Sequence, residues 1–230
     1  MNPPEELRAV IFDLDGTLVD TAEEFVVAVR QLRAEHHLPD LPDWRVRSTV
    51  SNGARALVTL ALTLTEGDPG FETQRLRLLE LYSAELGTVA RPYPGIVELI
   101  TQLAKHNIPW AIATNKPRAY TNPLLHALNF SPAPASVVCP DDVSQTKPDP
   151  ECLLLSCERL NCLPGQAIYI GDHNRDIEAG RRAGIYTIAA AYGYIEPNDN
   201  AHQWGADALV KDSAQLVDIL LSRSVTNTTT

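Results

Sequence analysis

Two carboxylates two residues apart, Asp13 and Asp15, stand where an apolar run ends: Ala9-Val-Ile-Phe12 is followed by Asp13-Leu-Asp-Gly16. A continuous apolar run of this kind reads as a parallel strand buried on both faces. The loop beyond the carboxyl end of such a strand is where open α/β sheets bind ligands. Like charges this close raise each other's pKa or need a cation between them. Mg²⁺ would meet that need, because a hard divalent ion takes carboxylate oxygen, backbone carbonyl and water. Read alone, D-x-D-G is also an ordinary turn with an Asx cap, so the pair needs support from elsewhere in the chain.

That support comes in three further segments. Ile108 to Ala113 is a second apolar run and ends on Thr114-Asn115; Lys147 stands in a Lys-Pro-Asp-Pro loop ahead of a helical stretch; Ala167 to Ile170 ends on Gly171-Asp172, with Asp176 four residues on. Singly, these are a helix cap, a solvated loop charge and a turn. Together they deliver complementary tools to strand ends: nucleophile candidates, neutral donors, a fixed cation and further carboxylate.

The four segments resemble the motifs of the haloacid dehalogenase superfamily, in particular its Mg²⁺-dependent phosphatases, and the resemblance runs from Val10 to the strand near Val210. It implies an α/β fold, a Rossmann-like parallel sheet carrying an inserted all-helical cap. It also implies that Asp13 is the nucleophile, Asp15 the general acid/base, Thr114 and Asn115 the phosphoryl-binding pair and Lys147 the neutralising cation. The metal set it implies is Asp13, Asp15 and Asp172, with Asp176 and Thr17 beside it. His173 departs from the family's usual small polar or acidic residue and reads as a solvent-facing ring.

In such a site Asp13 attacks phosphorus in line, and the covalent aspartyl-phosphate splits one hard step into two. Bound Mg²⁺ screens the nucleophile from the anionic ester. Asp15 protonates the leaving alkoxide and then activates the hydrolytic water, so neighbouring carboxylates take opposite roles because one binds metal through its side chain and the other does not. Dehalogenases and phosphonatases of the superfamily lack an acid two residues after the nucleophile, so Asp15 argues against them. A β-phosphoglucomutase-like mutase keeps all four motifs, and a non-catalytic scaffold would be expected to have lost one.

The elements that must hold these residues fall into two groups. Residues 1–19 and 91–224 carry the β/α alternation of the catalytic core, residues 20–90 read as helix only, and residues 225–230 read as a disordered tail. In the middle segment, Thr21-Ala-Glu-Glu24 reads as a capping box opening a helix with Phe25, Val29 and Leu32 on one apolar face. Gly53 to Leu64 forms a second helix. Phe71 to Leu86 forms a third, with Leu76, Leu79 and Leu86 inward and Arg75, Arg77 and Glu80 outward. Pro92-Tyr-Pro-Gly95 marks the return. A helical insertion after the first strand resembles the cap of the phosphoglycolate phosphatase branch, which closes over the site.

Within that cap, Ser51-Asn52-Gly53-Ala54-Arg55 reads as the lip of a lid, with Asn52 and Arg55 as candidate substrate contacts. Arg55 would offer a bidentate fork to a carboxylate or a second phosphate, or would lie on a solvated helix face. This stretch, with Ala191 to Asn200 and Trp204-Gly-Ala-Asp207, resembles the bacterial N-acetylmuramic acid 6-phosphate phosphatases of cell-wall recycling. That ester and 2-phosphoglycolate both carry a carboxylate, so Arg55 fits either.

Composition agrees with the small phosphorylated metabolite that the resemblance implies as partner. With 230 residues, 44% hydrophobic and 21% charged, the chain can bury a sizeable core. A net charge of −10 argues against sequence-independent nucleic-acid binding. No apolar run approaches a membrane span, and the N-terminal Met-Asn-Pro-Pro-Glu-Glu lacks the pattern of a signal peptide. The four cysteines, 139, 152, 157 and 162, show no C-x-x-C pair. They read as buried free thiols of a cytoplasmic protein.

Overall fold

The computed structural model describes residues 1–221, so the expected tail, 225–230, lies outside the described residues. Strand β1 (Ala9–Phe12) is buried at every position because it is central to a parallel sheet. The chain then makes a two-residue strand, β2 (Val19–Asp20), and four helices: α1 (Ala22–Glu35), α2 (Asp43–Thr49), α3 (Gly53–Leu62) and α4 (Phe71–Glu85). It returns through β3 (Arg91–Pro92), which pairs antiparallel with β2, Val19 opposite Pro92 and Asp20 opposite Arg91. The two crossings between sheet and helical segment are therefore tied together.

From there β/α alternation resumes: α5 (Ile96–Lys105), β4 (Trp110–Ala113), α6 (Arg118–Leu128), β5 (Ser136–Val138), α7 (Glu151–Arg159), β6 (Ala167–Gly171), α8 (Asn174–Ala183), β7 (Tyr186–Ala190), β8 (Ala208–Val210) and α9 (Gln215–Leu221). The sheet order is β5-β4-β1-β6-β7-β8, and every pairing is parallel. After β1 the chain builds outward through β4 and β5, then returns to the other side of β1 for β6, β7 and β8. The carboxyl ends of β4, β1 and β6 flank that reversal, where such sheets open a crevice.

Alternation along the strands sorts the core into two layers. Val10, Phe12, Ile112, Ile170 and Ile188 pack with α5 and α9 on one face. Ala9, Ile11, Ala111, Ala113 and Tyr169 pack with α7 and α8 on the other. Helices α1 to α4 enclose their own cluster, built on Phe25, Val29 and Leu32 of α1 with Leu57, Phe71, Leu78 and Tyr82. Phe25 and Tyr82 stack at 3.9 Å between ring centroids.

Three local expectations differ from the structure. Helix α2 was not anticipated; it is seven residues long and buries only Val46, too little to show periodicity. Helix α4 turns a different face inward: Leu78, Leu81 and Tyr82 are buried, Leu76 is 54% exposed, and Leu79 with Arg75 faces a cavity. Leucines at 76, 78, 79, 81 and 86 surround the helix, so their spacing does not define one stripe. The capping box at Thr21 does not form, because tertiary partners take both side chains. Thr21 Oγ1 donates to Asp15 at 2.5 Å, and Glu24 accepts from the backbone N–H groups of Gly87 and Ala90. The start of α1 is held instead by Tyr194, whose hydroxyl accepts from the N–H of Thr21 and of Ala22 and donates to Asp20.

Candidate active site

Strand register brings the separated motifs together. Phe12 pairs with Ile112 on one side and Ile170 on the other, so Asp13 leaves β1 level with Ala113 and Gly171, and Thr114 and Asp172 follow one residue on at the neighbouring strand ends. Asp13, Asp172 and Asp176 are buried, and ligand oxygens of all three lie within 4.8 Å of one another. A buried oxygen-only donor set of this kind could hold a hard divalent cation.

The charges explain why such a cluster calls for a cation. Burial pushes the Asp172 carboxyl up to about 8, and the nearby Asp13 charge adds to it. Burial also lifts Asp13 to about 6, against the pull of Lys147. For Asp176 burial works upward, but Lys147 and Arg175 outweigh it and hold the carboxyl below the usual range. Lys147 is fully buried, its Nζ 2.9 Å from Asp13 and 2.8 Å from Asp176, with further bonds to the Ala113 carbonyl and the Tyr169 hydroxyl. Its pKa is raised, because these carboxylates more than offset the burial that would lower it.

Close backbone approach shapes the rest of the cluster. Gly16 sits at φ +80°, where an added Cβ would stand 2.0 Å from Asp172 Oδ2, so glycine alone lets the loop pass. Asp172 accepts from Thr17 Oγ1 at 3.3 Å and from the Tyr194 N–H at 2.8 Å. Thr17 therefore lies beside the acidic cluster.

Several expected residues take other positions. The Asp15 side chain lies apart from the acidic cluster, as expected of the carboxylate that does not bind metal through its side chain: Lys116 Nζ lies 3.0 Å from it and Thr21 also holds it, and Asp176 is the third clustered carboxylate. Asn115 turns its amide onto the Lys147 backbone, accepting from its N–H at 3.1 Å and donating to its carbonyl at 3.0 Å. It clamps the lysine loop. Thr114 is buried, and its Oγ1 accepts from the Lys116 N–H, which leaves the hydroxyl proton available. His173 is half-buried, and its Nδ1 caps α8 by accepting from the Arg175 N–H. Burial holds its pKa below the usual value, which suits that acceptor role.

A cavity of about 380 Å³ opens over Asp13 between the strand ends and α1, α3 and α4. Phe25, Leu79, Tyr82 and Tyr120 give it apolar walls. Asn52 and Arg55 line it at the lip: Asn52 donates to Glu196, while Arg55 is 52% exposed, with its guanidinium on Glu66 and Glu72. Three cavity cations were not read as such from the sequence, Arg75 because α4 was expected to turn it outward. Lys116 lies in the Thr114-Asn115-Lys116 run, a visible signal that was not used; Arg175 sits one residue before Asp176 and offered none.

Residues 10–190 match the sequence model of the haloacid dehalogenase-like hydrolase family. An N-acetylmuramic acid 6-phosphate phosphatase of Pseudomonas aeruginosa is 44% identical, over 93% of this chain and 95% of its own. A phosphoglycolate phosphatase of Xanthomonas campestris is 34% identical, over 91% and 94%. Among solved structures, a predicted phosphoglycolate phosphatase from Haemophilus somnus shares the fold at a TM-score of 0.82 and 24% identity, covering 93% of this chain and 98% of that one. The cluster of strand-end carboxylates, the buried lysine and these likenesses converge: the chain belongs to the haloacid dehalogenase-like hydrolases, as a phosphatase of that family.

Proposed function

We propose that the protein is a Mg²⁺-dependent phosphomonoesterase acting on N-acetylmuramic acid 6-phosphate, through an aspartyl-phosphate on Asp13. The observation that carries the substrate reading is the cavity over Asp13. Its volume of about 380 Å³ accommodates a substituted sugar ring, and two-carbon phosphoglycolate would leave most of it empty. Half-buried Tyr120 and Leu79 in its wall suit the face of a pyranose. The 44% identity to the Pseudomonas aeruginosa enzyme points the same way.

Asp13, Asp172 and Asp176 would hold the metal, which when bound offsets the negative charge shared by ester and nucleophile. Asp13 would attack phosphorus in line while the Thr114 hydroxyl and the Lys147 ammonium hold the phosphoryl oxygens and the nucleophile in place. Asn115 positions Lys147. Asp15 would give a proton to the sugar oxygen as its bond to phosphorus breaks, and recover one from the hydrolytic water. In the substrate-free protein Lys116 holds Asp15. An anionic substrate competes for that ammonium and frees Asp15 for proton transfer. The helices from α1 to α4 would act as the lid that excludes bulk water. A cytoplasmic location fits four free cysteines, three of them buried, and no helix among the described residues is long and apolar enough to cross a membrane.

The test is phosphate release with Mg²⁺ from N-acetylmuramic acid 6-phosphate and 2-phosphoglycolate side by side, reported as kcat/KM. A hundredfold preference for the sugar, about 2.7 kcal/mol of transition-state discrimination, is expected, with free sugar as the product and no isomerised phosphate. The 34% identity to phosphoglycolate phosphatase supports the second reading, and the reverse preference would establish it. Comparable weak rates on both would refute the substrate assignment.

A further inference from the structure

Four cationic side chains line the cavity: Arg55, Arg75, Lys116 and Arg175. Three are already matched by acids. Arg55 lies 2.9 Å from Glu66 and 3.1 Å from Glu72, Arg75 is 2.8 Å from Glu72, and Lys116 is 3.0 Å from Asp15. Among the described residues, Arg175 is the cavity cation with no carboxylate in ion-pair range. The adjacent Asp176 is turned away onto Lys147, Tyr169 and the His173 N–H. One arm of the Arg175 guanidinium donates to the Ser51 carbonyl on the lip of the helical segment, and its Nε is buried with no hydrogen-bond partner. That Nε is closed off from the cavity, so a ligand would meet only the part of the side chain that lines it.

We propose that Arg175 reads the carboxylate of the substrate. A guanidinium presents parallel N–H groups that match two carboxylate oxygens, and here no carboxylate lies within ion-pair distance of it, although its charge is felt by Asp172 and Asp176. The arginine comes from the rigid first turn of α8 and reaches the lip at Ser51, so a carboxylate bound there also joins the core to the lid. Arg55 is the weaker reader, because two glutamates and solvent already satisfy it. This inference rests on the carboxylated-ester reading above.

The test compares kcat/KM for N-acetylmuramic acid 6-phosphate and N-acetylglucosamine 6-phosphate, which lacks the lactyl carboxylate. It uses the wild-type protein, Arg175→Ala, Arg175→Lys and Arg55→Ala. Arg175→Ala is expected to lose about 10- to 100-fold of the preference for the carboxylated ester, the usual worth of a charge-assisted pair. The loss should fall mainly on KM for that ester, with the neutral ester falling far less. Arg175→Lys should recover part of the preference, as a point charge without the fork. An equal fall on both esters would overturn the proposal and leave Arg175 a structural link between α8 and the lip. Loss of preference in Arg55→Ala with retention in Arg175→Ala would also overturn it. A wild-type enzyme indifferent to the carboxylate would overturn the substrate reading and this inference together, whereas a wild-type preference that survives Arg175→Ala would overturn this inference alone.

Discussion

Lys147→Met isolates the electrostatic centre of the site. The ammonium it deletes is fully buried and shared by Asp13 at 2.9 Å and Asp176 at 2.8 Å. Removing one partner of a buried ion pair costs about 3–5 kcal/mol, and an ammonium serving two carboxylates belongs near the top, about 5 kcal/mol at pH 8. Acid should relieve that cost. Burial lifts Asp13 to about 6 even with Lys147 pulling it down, so without the lysine it keeps its proton to a higher pH. Each pH unit over which only the variant holds that proton is worth about 1.4 kcal/mol. Across two such units the penalty falls to about 2 kcal/mol at pH 6. At roughly 2–4 °C per kcal/mol for a chain of this size, metal-free Lys147→Met should melt about 5 °C below wild type at pH 6 and about 15 °C below at pH 8. Thermal melts in chelator at both pH values decide it. A penalty independent of pH, or one below about 1 kcal/mol at pH 8 as for an exposed pair, would refute the reasoning.

Asp13→Asn should abolish phosphate release while the far-ultraviolet circular dichroism spectrum is unchanged; full activity in that variant would remove Asp13 as the nucleophile. Asp15→Asn should lower kcat by about 10²–10⁴-fold, measured under saturating substrate. In the wild-type protein without metal, the buried carboxyls of Asp172 (about 8) and Asp13 (about 6) hold protons in the folded state that the unfolded chain has released. Stability should therefore fall as pH rises from about 4 to about 8. Asp176, whose pKa is lowered, acts in the opposite sense, but its contribution is already complete above the ordinary aspartate range. Mg²⁺ should restore stability increasingly towards pH 8, and a metal-free melting temperature that stays flat would count against the cluster. Gly16→Ala would place a methyl group 2.0 Å from Asp172 Oδ2 at a left-handed backbone position; isothermal titration should show Mg²⁺ binding lost or much weakened.

The strand ends that carry the candidate site were legible in the sequence for a physical reason. A central parallel strand is apolar on both faces, so Ala9 to Phe12, Trp110 to Ala113 and Ala167 to Ile170 stand out without any partner being known. The first polar residue after each run has to fall at the carboxyl edge, and the register then brings Asp13 within one residue of the level of Thr114 and Asp172. Lys147 was legible by its place in the motif order. The helical segment was less so. Leucines all round α4 left its inward face open, and the single buried residue of α2 left no stripe to read.

Side-chain pairing was decided by the tertiary structure alone. Whether Thr21 and Glu24 cap their own helix depended on Asp15 and on the backbone of Gly87 and Ala90, which lies more than sixty residues beyond Glu24 in the chain. Asn115 became a clamp on Lys147 once the fold brought the two loops within hydrogen-bond range. Arg55, conspicuous in the sequence, is neutralised by Glu66 and Glu72, while Arg175, unremarked there, lines the cavity with no acid within ion-pair distance. Period and polarity along a chain set which residues are buried and where strands end. The identity of a charge's partner is a distance in space, and only the folded packing of loops and helices supplies it.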